Sequence, residues 1–324
     1  MTKMNMVEAL NLALNQEMKK DKDVIVLGED VGVDGGVFRV TDGLYKKFGE
    51  NRIIDTPLSE SGIVGTSIGL AVYGLKPIAE IQFSGFMYPA FDQLISHVSR
   101  IRNRSRGRYK CHIVVRAPFS GGIKALEHHS ESMEAIYVHI PGLKVVIPAT
   151  PYDAKGLLIS AIRDPDPVIF LEPKRVYRAI KEEVPEKEYT IPLGKAKIMK
   201  EGKDVTVISW GAMVRECMES SELLKGKVDL EIINLRTLSP VDIDTIINSV
   251  QKTGRVVIVH EAPRTNGFGA EISALINERA LLNLNAPVKR ITGFDTIIPL
   301  GKLEDYYLPD EKKIAKGVLE VMKF

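Results

Sequence analysis

Cysteine is scarce in this chain: Cys111 and Cys217 are the only two among 324 residues, far apart and outside any Cys-x-x-Cys. That excludes a disulfide framework and a cysteine-built zinc site, and it suits a reducing compartment. An excess of either charge is missing as well. Lys+Arg 44 against Asp+Glu 42 leave a formal +2, so bulk electrostatics draw the chain to neither nucleic acid nor an anionic membrane. No uninterrupted apolar run approaches the roughly 20 residues of a membrane span. Met1–Glu8 also lacks the basic start and apolar stretch of a signal peptide. A cytoplasmic protein with no membrane or nucleic-acid partner is expected. Phosphate-cradling Gly-x-Gly-x-x-Gly and Walker sequences are absent, as is a Gly-Asp-Gly followed by a distant Asn.

What is present reads as alternating helix and strand. Val7, Leu10, Leu14 and Met18 fall at helical spacing, and Val24–Leu27 is a run suited to a buried parallel strand. Arg52–Ile54, Ile78–Phe83, Ile113–Arg116, Val145–Ile147 and Val168–Leu171 are further strands. Between them lie a small-residue helix from Glu60 to about Tyr73, an apolar helical face at Phe91, Leu94, Ile95, Val98 and Ile101, and a helix over Ala154–Arg163. From about Lys181 to Lys195 the sequence turns charged and proline-broken, without periodicity. This places a first α/β domain at 1–185, a linker at 186–199 and a second α/β domain at 200–324. In the second, strands at Val205–Ser209, Leu230–Ile233 and Val256–Val259 alternate with helices over Val214–Leu224, Asp242–Val250 and Ala270–Ala280.

Ligands of open α/β sheets gather beyond the carboxyl ends of the strands, so polar residues just after each strand are the site candidates. They are Gly28-Glu29-Asp30, Asp55-Thr56-Pro57-Leu58-Ser59-Glu60, Ser84-Gly85-Phe86, and a long loop from Ala117 to about Ser132 carrying Glu127-His128-His129. A carboxylate at Glu60, beside Leu58 and a helix with Gly62, Gly65 and Gly69, would be poorly hydrated and suited to holding a proton. It could equally be a helix-capping carboxylate. Gly65-x-x-x-Gly69 predicts close helix packing rather than membrane dimerisation. Adjacent His128 and His129 diverge in any regular structure and form no His-Glu-x-x-His pattern, so a loop proton donor or an exposed histidine is expected before a metal ligand. Arg100, Arg102, Arg104, Arg106 and Arg108 read as an interface or solvated face, with only Tyr109 as aromatic company. Arg264–Gly269 reads as a tight turn rather than an anion site.

Several blocks, in order, carry a resemblance. Asp55–Glu60, Ala79–Phe83, Pro89–Gln93, His129-Ser130-Glu131-Ser132, Pro141–Pro148 and His260–Pro263 resemble the β subunit of the thiamine-diphosphate-dependent decarboxylating component of 2-oxoacid dehydrogenase complexes. The match runs over essentially the whole chain. It implies a transketolase-like fold, with a parallel-sheet pyrimidine-binding domain and then a transketolase C-terminal-like domain. It also implies a heterotetramer of two α and two β subunits, with the α subunit holding the magnesium and diphosphate, which accounts for the missing Gly-Asp-Gly.

By this resemblance Glu60 would hydrogen-bond the aminopyrimidine ring nitrogen and favour the tautomer that deprotonates the thiazolium carbon. The carbanion then attacks the 2-oxo group and carbon dioxide leaves. Leu58 would lie beneath the pyrimidine and Phe86 beside it, Gln82 would join the cofactor-binding set, and Glu29 would stand between the two thiamine sites. His129 would donate a proton as the lipoyl dithiolane opens, while His128 could be a bystander. A potassium ion in some members would map to carbonyls of Cys111, Ile113 and Val114 and to Ala161, Asp164 and Asp166. The C-terminal domain resembles the part that receives the peripheral-subunit-binding domain of the dihydrolipoyl acyltransferase core, whose lipoyl domains take the acyl group. Ala79–Phe83 and Val145–Ala149 look closest to branched-chain relatives, predicting 3-methyl-2-oxobutanoate as substrate. Pyruvate dehydrogenase, acetoin dehydrogenase and a non-catalytic assembly scaffold are the alternatives.

Overall fold

The computed structural model describes residues 1–324. Its first half runs β1 (Thr2–Met4), α1 (Met6–Lys20), β2 (Val24–Gly28), α2 (Leu44–Phe48), β3 (Ile53–Asp55), α3 (Glu60–Tyr73), β4 (Lys76–Glu80) and α4 (Ile101–Arg104). It continues through β5 (Val114–Phe119), α5 (Glu134–Val138), β6 (Lys144–Val146), α6 (Pro151–Arg163), β7 (Val168–Pro173) and β8 (Glu182–Val184). The second half holds β9 (Lys197–Lys200), β10 (Val205–Ser209), α7 (Met213–Leu223), β11 (Leu230–Asn234), β12 (Thr237–Ser239), α8 (Ile243–Thr253) and β13 (Val256–Val259). After these come α9 (Phe268–Ala280), β14 (Lys289–Ile291), α10 (Glu304–Tyr307) and α11 (Glu311–Val321).

Local chemistry sets the element ends. Asn5 caps α1 by accepting from the Glu8 N–H (3.0 Å), and the Glu8 carboxylate accepts from the Asn5 N–H (2.8 Å), a reciprocal capping box. Lys19 and Lys20 close its last turn. Thr150 caps α6 with Pro151 at the first helical position, and Arg163 at its end pairs with the buried Glu17 of α1 (2.6 and 2.8 Å). Strand β2, Val-Ile-Val-Leu-Gly, is buried throughout, as a strand covered on both faces must be.

Seven strands form one sheet in the order β12-β6-β7-β5-β4-β2-β3, parallel except at β12, and five form a second in the order β14-β13-β10-β11-β9, parallel except at β9. Both apolar cores, of 42 and 36 buried residues, take side chains from both halves of the chain, so the two sheets share their interior. No helix is long and apolar enough to cross a membrane.

Four local expectations need correction. The strand expected over Ile78–Phe83 leaves the ladder early: Ile81 still donates to the Arg116 carbonyl (2.9 Å), but Gln82 and Phe83 lead into a 3-10 turn over Ser84–Met87. The apolar face at Phe91–Ile101 winds mostly as a wide π turn over Gln93–Val98, closed by Ser99 N–H to the Leu94 carbonyl (3.0 Å). Within the charged stretch after Lys181, β8 pairs antiparallel with β1, Thr2 opposite Val184. Finally β12, deep in the second half, pairs with β6 and extends the first sheet.

Candidate active site

The carboxyl ends of β2, β3, β4 and β5 lie side by side, which brings the candidate residues to one edge of the first sheet. The Asp55 carboxylate at the end of β3 accepts from the N–H groups of Gly32 (2.6 Å) and Val33 (3.2 Å), bracing the turn that follows β2. Glu29 starts that turn half-buried. Its carboxyl is pushed above the ordinary range by burial first, then by the negative charges of Glu60 and Asp30. The Glu60 carboxylate is thus close enough for its charge to be felt at Glu29. Gln82 donates to Asp30 (2.9 Å), tying the β4 end to the same turn.

Glu60 opens α3 behind the N-cap Ser59, whose hydroxyl accepts from the Gly62 N–H (3.3 Å). The expected desolvation of Glu60 is not supplied by this chain alone, because Glu60 is only half-buried. Nor do Gly65 and Gly69 pack closely. A Cβ at Gly65 would meet only Gln93 at 3.5 Å and one at Gly69 nothing within 4 Å, because this face of α3 turns away from the core. Leu58 is 79% exposed. An apolar side chain standing clear beside two carboxylates offers a surface with both apolar character and charge.

The histidines belong to a 3-10 turn, Glu127–His129, in the loop after β5. The turn lies on Gly85, where a Cβ would stand 2.0 Å from the His128 carbonyl oxygen, so only glycine permits the approach. The two rings diverge. His129 packs against Phe83 (4.4 Å between centroids) and edge-on to Phe86 (5.1 Å), while exposed His128 stacks on the far side of Phe86 (6.2 Å) and meets Tyr88 edge-on (5.8 Å). His129 Nδ1 is buried and has no hydrogen-bond partner, an orphan polar atom pointing to a ligand or water at this place. Tyr88 donates to the Glu131 carboxylate (2.8 Å) at the rim.

Beneath this edge lies a charge cluster that reading the sequence missed. The Arg116 guanidinium, 1% exposed, donates to Glu80 (2.6 Å) and to both oxygens of Glu172 (2.6 and 3.0 Å), and the Tyr177 hydroxyl donates to Glu172 (2.6 Å). Burial pushes the Glu80 carboxyl up, and Arg116 opposes that push. The signal was available: charged residues interrupt three neighbouring apolar strands that are buried on both faces.

The exposed Leu58 and half-buried Phe86 as apolar platforms, with the carboxyls of Glu29 and Glu60 nearby, suit the aminopyrimidine of the expected cofactor in chemical character. The potassium donors fit a cation poorly. They sit at the opposite, amino ends of β5 and β7. The Asp164 carboxylate is held by Lys144 (2.6 and 2.7 Å), Asp166 is paired with Arg102, and the carbonyls of Cys111, Ile113 and Ala161 each accept a backbone N–H. Val114 begins β5 nearby, buried. In the arginine run, only Arg102 forms an ion pair. The Arg264–Gly269 turn is held by Asp295, which accepts from the Thr265 N–H and hydroxyl (2.7 and 2.8 Å).

Comparison with known proteins identifies the fold and the family. Residues 2–180 match the family described as transketolase, pyrimidine binding domain, and residues 194–314 match transketolase, C-terminal domain. A pyruvate dehydrogenase E1 component subunit beta from Acholeplasma laidlawii is 53% identical, covering 98% of each chain. Namesakes from Staphylococcus epidermidis (52%, covering 99% of this chain and all of its own) and Staphylococcus aureus (51%, covering all of both) are similar. A solved split-gene transketolase, described as an inactive β4 tetramer, superposes with a TM-score of 0.82 at 20% identity over 99% of each chain, which speaks for the fold alone. With both halves matched and relatives more than half identical from end to end, the chain belongs to the β subunits of thiamine-diphosphate-dependent 2-oxoacid dehydrogenases.

Proposed function

We propose that this chain is the β half of a pyruvate-decarboxylating dehydrogenase, active only with an α subunit that holds the magnesium and the diphosphate. The observation that carries this is one sheet edge bringing together the neighbouring carboxylates of Glu29 and Glu60, the exposed Leu58, and His129 seated on Phe83 and Phe86. Glu60 and Glu29 would hold the polar edge of the pyrimidine, and Leu58 and Phe86 its faces. When bound, thiamine diphosphate supplies an acidic carbon and an electron sink. The chain's own task is to hold and move a proton at Glu60, to shield the ring edge from water, and to offer a proton from the His129 imidazole during transfer to a lipoyl group. Potassium enters no step. Two α and two β chains, and an acyltransferase core, are the expected partners.

Pyruvate replaces the branched-chain expectation. The relatives that match end to end bear the pyruvate name. The two stretches that suggested a branched chain are mostly interior: Ala79, Ile81, Val145, Val146, Ile147 and Ala149 are all buried in the sheet and its packing. They report how the sheet packs rather than which acyl group is accepted.

Co-expression with the α subunit tests the proposal, by measuring thiamine-diphosphate-dependent decarboxylation of pyruvate and of 3-methyl-2-oxobutanoate, with each subunit alone as control. Activity confined to the mixture and favouring pyruvate is expected. Glu60→Gln should lower it by about 100-fold or more while the tetramer still assembles. An assembled but inactive wild-type mixture would favour the scaffold reading.

A further inference from the structure

The loop that presents His129 is held from outside its own domain. Ser120 (φ 72°) and Lys124 (φ 58°) are non-glycine residues in the left-handed region, so the loop's path must be imposed by its contacts. Those contacts come largely from the second half of the chain. The Gly121 N–H donates to Glu261 (2.9 Å). The N–H groups of Gly122 and Lys124 donate to the two oxygens of Glu304 (2.5 and 2.6 Å). Both carboxylates are buried. A Cβ at Gly121 would lie 2.6 Å from Glu304 Oε1, so loop and carboxylate fit without slack.

Lys174 completes the clamp. Its buried side-chain nitrogen donates to the Ser120 carbonyl (2.5 Å), lies near Glu261 and Glu304, and sits 5.8 Å from the centre of the Phe83 ring on which His129 packs.

We infer that Glu304, assisted by Glu261, is a positioning residue for His129: the C-terminal domain fixes the loop of the first domain that carries the histidine. This rests on the proton-donating role proposed above. Charge-assisted bonds to two backbone N–H groups, two residues apart, define a loop's path more tightly than side-chain packing does. Loss of that anchor moves the imidazole relative to the lipoyl group while Glu60 and Leu58, which follow β3 and touch none of these contacts, stay in place.

The test uses the assembled α and β complex with Glu304→Ala, Glu304→Asp and His129→Asn. Decarboxylation is followed with an artificial electron acceptor, and acyl transfer separately with a lipoyl domain. Glu304→Ala should lower acyl transfer by about 10- to 100-fold, chiefly in kcat, with decarboxylation within about threefold of wild type. Glu304→Asp should recover part of the loss. A parallel fall in both rates would show a merely structural role and overturn the inference. If His129→Asn impairs transfer and Glu304→Ala does not, positioning fails and the histidine reading stands. If His129→Asn leaves transfer intact, the histidine reading fails and takes this inference with it. Should Glu304→Ala not assemble, Glu304→Gln, the same size but unable to accept from both N–H groups, carries the same comparison.

Discussion

Gly85 has the least latitude of any residue near the histidines. A methyl group there would stand 2.0 Å from the His128 carbonyl, and what it meets is backbone, which cannot swing aside as a flexible side chain can. Gly85→Ala is therefore expected to cost about 1–3 kcal/mol in urea unfolding and to depress both acyl transfer and decarboxylation, since the strained turn carries Phe86 on one side and meets the His128–His129 turn on the other. Unchanged stability and rates would contradict this. At this scale the sequence was most readable where a polar residue follows a strand: Glu29, Glu60 and His129 all lie at the carboxyl-end edge of the first sheet. Within this chain Glu60 is only half-buried, because the glycines of α3 lie on its open side rather than packed within the chain. Glu261 and Glu304 escaped notice because their partners are backbone N–H groups more than a hundred residues away, which leave no local pattern.

Strands β4, β5 and β7 each carry one charge into the sheet, and the three are satisfied only by one another and by Tyr177. Glu172→Ala removes the acceptor for two guanidinium N–H groups and for the tyrosine hydroxyl, leaving Arg116 buried beside a single carboxylate. The expected cost is about 3–5 kcal/mol, seen as a lowered denaturant midpoint with an unchanged slope. A loss under 1 kcal/mol would mean that water reaches the cluster. Long buried elements such as β2, α1 and α6 were legible because hydrophobic period and caps agree. Short ones were not. In β1, β8 and β12, of three residues each, the partner strand decides the conformation, and three residues carry no period. The π turn at Gln93–Val98 keeps an apolar face that helical spacing cannot tell from an ordinary helix.

Across the whole molecule, the α/β transketolase-like class followed from the alternation of elements and the ordered blocks, and the fold bears it out. How the halves join did not follow. One joint is Glu134 of α5, a buried carboxyl that accepts from Trp210 Nε1 in the second half (3.1 Å) and is pushed up to about 7 by burial, against the pull of that bond. Its ordinary value is 4.5, so between the two the folded chain holds a proton that the unfolded chain releases. The stability this proton confers is full below about pH 4.5 and lost as pH rises through about 7. Glu134→Gln, which keeps an acceptor for the indole, should flatten the dependence of Tm on pH between 5 and 8 relative to wild type. An unchanged profile would place the titration elsewhere.

The strand β12 leaves the first sheet unfinished until the second half arrives. Three residues returned from the second half complete its far edge at β6. A first half synthesised alone would present that edge bare, able to pair with a neighbouring polypeptide, until β12 docks and covers it.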